Sequence, residues 1–537
     1  VVYRAPAGDE PMSNSRRTFL SNVRETQRMS EGVQAWGQDL ETMLMGIHDT
    51  WSEPPAESDV RFEWDKELLD EQERAYIASG YSLTKLAVSL PKGGPETGFS
   101  MEGIEKLRRA DEEACGIEVS MGRPEWALLE EIVNGVVMTV KEGHVDDPEG
   151  EEPRPRYLGS RDLLNGMIEK LVRKGDAIVL RRDILRNEPG LCLGAVHATD
   201  KDGIVNGRLI WDSPSLNDDG VVVESYDHYG FTPLPSVLDN AATFLAALER
   251  YGDKLHDPMC FASADVSAAY GRIVVHSDSV PRTGQVLTDR LTLFRFKGFF
   301  GFCLWPMVWG VVQRVICFIC LYRCLILFMV MYVDDASLAT TMSRVDRELD
   351  ALLWVIRTLC GEDGVNEKKT VRGKRSLVVQ GFLHDFDVDG GSVMMSTRNL
   401  EKSIFKVMSI PESWELDRNG IESIASLLLR LSLIVPWLRP FATSLFYEIR
   451  GLRRNILKTL SEESRVAIIL FRVFLCGALA DPTAHRVTWR SLRKKEPIVL
   501  LRGDAYPRGL SVRLFHLDAD GEAGRLLAVI WIRFDID

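Results

Sequence analysis

The chain has 537 residues, 45% of them hydrophobic and 27% charged, which excludes a disordered or fibrous protein and suggests three to four folded units. The net charge of −13 excludes a uniformly basic nucleic-acid coat, but the acid is concentrated. Residues 1–150 carry about −15, which leaves about +2 for the remainder, and residues 401–500 carry about +6, where the basic residues from Arg439 to Lys495 are expected to form a phosphate-facing surface, or else a set of solvated helix faces.

In chain order, residues 1–155 read as an acidic, partly helical region of unassigned role. It ends in the Pro- and acid-rich linker EGHVDDPEGEEPRPR. No apolar signal-peptide core stands in the first thirty residues. Residues 160–176 predict an amphipathic helix, and the short strands AIVL, LCLGAVHA and RLIWD follow. A helix is expected over 236–251. CFASADVSAAY predicts a strand running into a turn, and RIVVH (272–276) a second short strand. Residues 305–325 predict a helix and 326–333 a strand. A helix over 343–361 and a strand pair over 376–386 come next. Residues 420–480 predict helix broken at Pro436 and Pro440. The pattern is α+β with an antiparallel core, not alternating βαβ.

Two features invite other readings. The apolar run 315–333 is long enough to span a bilayer, but Arg323 sits in its middle, at a cost of a few kcal/mol in lipid. A buried helix passing into a central strand explains it better, so no membrane partner is expected. Cys317, Cys320 and Cys324 fall on one helical face without a second Cys or His cluster, so buried thiols are expected rather than zinc ligands. The nine cysteines are irregularly spaced, which suits a reducing compartment, and an intracellular location in cytoplasm or nucleus is expected.

The chemistry lies in FMVMYVDDASLA (328–339). Asp334 and Asp335 stand directly behind an apolar run. Adjacent carboxylates at the end of a buried strand repel and are desolvated, which a hard divalent cation relieves. A hairpin turn is the bland alternative for Asp-Asp alone. Asp265 ends an earlier strand, CFASA. If the two strands are neighbours in one antiparallel sheet, three carboxylates come within reach of a pair of Mg2+ or Mn2+ ions, the arrangement for in-line phosphoryl transfer.

With these residues in hand, the chain resembles the reverse transcriptase family, the RNA-directed DNA polymerases of retroelements, over about residues 160–390. YVDD at 332–335 is similar to the family's Y-x-D-D. DVSAAYGRIVVH at 265–276 is similar to its first palm motif, and RLIWDSPSLN at 208–217 to its R-x-I-x-D-x-x-x-L-N pattern. NEKKT (366–370) and VVQGFLHDF (378–386) resemble the lysine motif and the hairpin after it. The resemblance implies a polymerase right hand. It divides the chain into fingers and palm over 156–390, a helical thumb or connection over 391–480, and an incomplete RNase H-like segment over 481–537 whose first acid would be Asp504. The segment 421–447 resembles that of DIRS-like retrotransposon polymerases.

The resemblance also implies roles. Asp265, Asp334 and Asp335 would hold two ions with the backbone carbonyl of Val266. Tyr270 would be a steric gate against a ribose 2′-OH, and Arg208, with Lys201, would grip the triphosphate. Lys369 would protonate the leaving pyrophosphate. Gly301 would belong to the nucleotide-binding turn of the second palm motif. Partners would be an RNA or DNA template with primer, and dNTPs. That second motif departs from the family: in FFGFCLWPMVW (299–309), Phe299 replaces a Pro and Trp305 a small residue. The added bulk favours an alternative, a polymerase fold that binds nucleic acid or a partner without synthesis.

Overall fold

A computed structural model describes residues 14–30, 38–51, 64–89, 98–114, 123–138, 156–157, 161–185, 188–199, 208–212, 228–230, 232–288, 290–452, 456–494, 499–506, 509–517 and 523–533. It is a mixed α+β structure with several sheets. The linker of residues 142–156 lies almost wholly outside the described residues.

The acidic N-terminal quarter supplies helices α1 (Asn14–Ser30), α2 (Gln38–Trp51), α3 (Lys66–Ala78), α4 (Leu83–Ser89), α5 (Met101–Ala114) and α6 (Arg123–Asn134). Their apolar stripes are not a separate layer. Ile104 and Leu107 of α5 and Trp126, Leu129 and Ile132 of α6 share one buried cluster with the central sheet. Helices α1 and α2 instead join a second cluster at the other end of the chain.

Strand β1 (Arg156–Tyr157) and helix α7 (Arg161–Arg173) lead into β2 (Ala177–Arg181), β3 (Leu193–Thr199) and β4 (Arg208–Asp212). With β6 (Gly284–Val286) and β7 (Leu291–Arg295) these form a mixed sheet of order β1-β3-β6-β7-β2, β4 lying on β3. Helix α8 (Val237–Tyr251) starts from a capping box, in which Ser236 and Asp239 satisfy each other's backbone N–H.

The central sheet has order β10-β5-β9-β8 and is wholly antiparallel. Its strands are β5 (Met259–Asp265), β8 (Met329–Tyr332), β9 (Asp335–Thr341) and β10 (Val371–Lys374). Helices α9 (Leu304–Tyr322) and α10 (Val345–Cys360) pack beside it. A third sheet, β11 (Ser376–Val379), β12 (Phe382–Asp385), β13 (Ser392–Met395) and β16 (Val487–Thr488), is also antiparallel.

Helices α11 (Thr397–Met408), α12 (Arg418–Leu431), α13 (Arg439–Glu448), α14 (Glu462–Ala480) and α15 (Trp489–Lys494) follow, with the small pair β14 (Glu415–Leu416) and β15 (Lys458–Thr459) between them. The break expected at Pro436 and Pro440 is present, Pro440 entering the first turn of α13. At the C-terminus β17 (Val499–Tyr506), β18 (Gly509–Leu517) and β19 (Ala523–Arg533) form an antiparallel sheet, with Asp504 opposite Ser511.

Two local expectations are corrected, and a third, the buried helix passing into a strand over 315–333, holds with shifted boundaries. RIVVH is not a strand: Arg272 closes a short 3-10 turn, and Val274 and Val275 make single bridges only. The run 315–333 is divided, helix to Tyr322 and strand only from Met329, because α9 ends at Arg323 and a bend at Leu325 (φ 57°) intervenes. The basic residues of 439–495 are not one open surface. Arg472 is 1% exposed, Lys458 pairs with Glu448, and Arg465 packs over Trp414.

Helix α9 is long and apolar enough to cross a membrane, and most of it is buried inside the fold. Arg323, the charge within the run, pairs through Nε (3.0 Å) and Nη2 with the fully buried carboxylate of Asp111 on α5, which also accepts from Trp126 Nε1. Burial pushes the Cys317 thiol up to about 12 and Cys320 well above its ordinary value.

His384 of β12 is fully buried, its ring 5.0 Å from Phe244, and neither ring nitrogen has a hydrogen-bond partner among the described residues. Burial holds its pKa down at about 3, against 6.5 ordinarily. The unfolded chain therefore takes up the proton first. Stability unaffected above pH 6.5 is lost progressively as pH falls toward 3. At pH 4.5 the expected loss is about 2–3 kcal/mol from this ring. Urea unfolding of His384→Leu at pH 7.5 and 4.5 checks it: the variant should lose less stability between the two than the parent chain, and an equal loss would refute the assignment.

Candidate active site

The site begins with register. Strand β5 lies antiparallel to β9 with Asp265 directly opposite Asp335. Strand β8 pairs with the other edge of β9, Tyr332 opposite Asp335, so Val333 and Asp334 form a two-residue hairpin turn. Val333 takes a left-handed backbone (φ 58°), an outlier for a β-branched residue. Neighbours hold the turn in place. Trp309 Nε1 donates to the Val333 carbonyl (2.8 Å), the Val266 N–H to the Asp334 carbonyl (2.9 Å), and Gln313 Nε2 to the Met331 carbonyl (2.8 Å).

The carboxylates of Asp265 and Asp335 are hydrogen-bonding neighbours, and the charge of Asp334 also reaches Asp335. The register brings Asp335, rather than Asp334, against Asp265; the Asp334 contact to β5 runs through its backbone carbonyl. Asp265 is 4% exposed, whereas Asp335 keeps an open edge. Despite that edge the Asp335 pKa is raised from 3.8 to about 7, first by desolvation where the carboxylate is withdrawn from water, then by the bond to Asp265 and the charge of Asp334. Lys369 opposes the rise. Its Nζ lies 2.5 Å from Asp265 Oδ1. Asn366 Nδ2 donates to the other oxygen of Asp265 (3.0 Å). Among the described residues no set of three His, Cys, Asp or Glu side chains is grouped to hold a metal ion as placed.

The turn after β5 is held by Arg272, a residue sequence reasoning passed over. Buried at 5% exposure, it donates Nε to Ser267, Nη1 to Gly98 and Cys360, and Nη2 to the Asp363 carbonyl, all at 2.6–3.0 Å. Trp309 and Asn366 were likewise given no role. Arg272 follows Tyr270 by two residues and Asn366 opens NEKKT, so both stood inside quoted motifs, but nothing in a string reports a hydrogen bond to a distant carbonyl.

The ring of Tyr270 is partly buried and meets Phe300 edge-on at 5.3 Å. Phe300 belongs to the turn 299–301, which β4 grips through the Trp211 N–H to the Phe300 carbonyl (2.8 Å). Gly301 has φ +106°, and a Cβ there would stand 1.8 Å from the Trp211 carbonyl oxygen, so only glycine fits. Phe299 and Trp305 turn inward. Trp305 is fully buried, 5.8 Å from both Phe299 and Phe302. The bulk expected to crowd an open pocket sits in the core beneath the turn. Arg208 opens β4; Lys201 lies outside the described residues.

No family model matches the chain, and no curated protein does. Among solved structures it is similar to the foamy viral protease-reverse transcriptase. The form described as dRH, in complex with double-stranded DNA, is 14% identical with TM-score 0.38, covering 91% of this chain and 71% of that one. The complex with an RNA/DNA hybrid is 15% identical with TM-score 0.38, covering 80% and 52%. A further complex with double-stranded DNA is 16% identical with TM-score 0.38, covering 80% and 81%.

Proposed function

We propose that the chain is an RNA-directed DNA polymerase of a retroelement, with fingers and palm over 156–390 and a thumb over 391–480. The observation that carries this reading is the meeting of Asp265 and Asp335 across β5 and β9, with Asp334 in the adjoining turn. The residues suit a hard divalent ion: three carboxylates and the Val266 carbonyl are all oxygen donors. The raised pKa of Asp335 and the ammonium of Lys369 against Asp265 both mark negative charge that a cation would balance. Two Mg2+ or Mn2+ ions held by Asp265, Asp334, Asp335 and the Val266 carbonyl would supply acidification of the primer hydroxyl and charge compensation at the leaving pyrophosphate.

The chain's own residues do the rest. Arg272 and Trp309 fix the two turns that present the acids. Tyr270, backed by Phe300, forms a wall that excludes a 2′-hydroxyl by clash. Arg208 and Lys201 bind the triphosphate, and Lys369 delivers a proton to the departing pyrophosphate. The test is primer extension by the full chain on an RNA template with dNTPs and Mg2+ or Mn2+. Incorporation is expected, absent in Asp334→Asn, and Tyr270→Ala should begin to use ribonucleotides. No incorporation by the parent chain with either ion would refute the reading.

One observation favours the alternative, nucleic-acid binding without synthesis: Lys369, rather than a third carboxylate, completes the group around Asp265. That reading expects oligonucleotide binding indifferent to Asp334→Asn and to both ions.

A further inference from the structure

The acidic N-terminal quarter opens with a basic helix. Within its 17 residues α1 holds Arg16, Arg17, Arg24 and Arg28 against the single acid Glu25. Arg17, Ser21, Arg24 and Arg28 follow at spacings of four, three and four, which puts them on one face. All four are exposed, and no ion pair engages Arg17, Arg24 or Arg28 among the described residues. The opposite face of α1 is anchored: Asn22 Nδ2 donates to the carbonyls of Met408 and Ile410 at 2.7 and 2.8 Å.

That arginine face lines an open cleft of about 560 Å³ together with Glu412 and Trp414, whose indole also carries Arg465. Behind Trp414 lies Arg472 of α14, its guanidinium 4.9 Å from the indole centroid. Arg472 is 1% exposed. It donates Nε to the Val407 carbonyl (2.9 Å) and pairs with the cleft residue Glu25 (3.2 Å), while its Nη2 is buried without a hydrogen-bond partner among the described residues. A desolvated guanidinium with one unsatisfied nitrogen favours an anion nearby.

We propose that this cleft is a second nucleic-acid contact, in which Arg17, Arg24 and Arg28 take successive phosphates of a single strand whose bases lie toward Trp414. Eleven residues of helix separate Arg17 from Arg28, a span of about 16 Å, enough for about three to four nucleotides. Exposed arginines beside an aromatic side chain suit a single strand better than an acidic peptide, which has no use for the indole. The site shares no residue with the Asp265–Asp335 pair and stands or falls independently of polymerase chemistry.

The test is fluorescence anisotropy of a labelled twelve-nucleotide oligouridylate with the full chain, titrated from 50 to 200 mM NaCl. The variant Arg17→Ala/Arg24→Ala/Arg28→Ala should bind about tenfold more weakly at low salt, its log–log salt slope smaller by about 2, three contacts at about 0.7 each. Glu412→Arg, an exposed change at the rim, should tighten binding severalfold, a gain that misfolding cannot mimic. Unchanged affinity and slope in the triple variant overturn the proposal, as does a neutral Glu412→Arg. So does displacement of the oligonucleotide by a poly-glutamate peptide at equal charge concentration. Extension of a short primer–template should survive in the triple variant, which separates this outcome from failure of the palm.

Discussion

Asp335→Asn is expected to abolish nucleotide incorporation, by on the order of a thousandfold, and at the same time to stabilise the metal-free chain above pH 7. The first effect follows from losing an anionic oxygen donor beside Asp265, since the amide oxygen of asparagine carries no charge to hold a divalent ion. The second follows from the sign of the pKa shift. In the folded chain Asp335 holds its proton up to about pH 7, against 3.8 ordinarily. The fold therefore binds the proton more tightly than the unfolded chain does, and stability declines as pH rises from 3.8 to about 7. Above that window the ionised carboxylate stands against Asp265 and Asp334 and the deficit is complete. Asparagine removes it. Because Asp335 has an open edge, solvent screens part of the term, and a rise of a few degrees in the unfolding midpoint is the scale to expect. The check is thermal unfolding at pH 3.5 and pH 8, with and without Mn2+. The variant should gain only at pH 8, and Mn2+ should raise the parent midpoint more than the variant's. A variant that extends primers at the parent rate, or gains nothing at pH 8, removes Asp335 from the site.

Arg323→Leu is expected to cost about 3–5 kcal/mol of stability, the range for one partner removed from a buried pair. It would take the guanidinium away from the fully buried Asp111 carboxylate, which also accepts from Trp126 Nε1. The double variant Asp111→Asn/Arg323→Met should recover more than half of that loss, since neither charge then remains in the core. Denaturant midpoints of the three chains decide it. A single variant within 1 kcal/mol of the parent would mean that the pair is solvated in practice. The comparison also asks what the acidic quarter is for. Asp111 comes from that quarter and Arg323 from the end of the core helix α9, so a large effect makes α5 part of the structure around the acids rather than an appended tail.

The elements of the central region were legible in the sequence because each repeats its own period. The helices over 237–251, 304–322 and 345–360 and the hairpin over 376–385 fall within a few residues of expectation. Apolar stripes at helical spacing and β-branched runs are local signals, and their burial needs no knowledge of the partner. RIVVH failed for the same reason in reverse. Its residues carry strand propensity, but the Arg272 bonds to four carbonyls pull the backbone into a 3-10 turn that propensity cannot see.

The candidate residues Asp265, Asp334, Asp335, Tyr270, Lys369 and Gly301 could be named from their motifs, since short-range spacing is what a motif records. Their partnership could not. That Asp335 rather than Asp334 faces Asp265 is a matter of strand register, which a shift of one residue would reverse. Trp305 shows the limit most plainly: as a letter in a motif it threatened the pocket, and only packing against Phe299 and Phe302 shows the indole taken into the core. The amino-acid order alone therefore determined the local elements and the identity of the acids, through interactions a few residues long. The tertiary structure alone decided which carboxylates meet, what holds the strained Val333 turn, and that an acidic N-terminal segment packs against the end of α9, because those contacts join residues up to about two hundred positions apart.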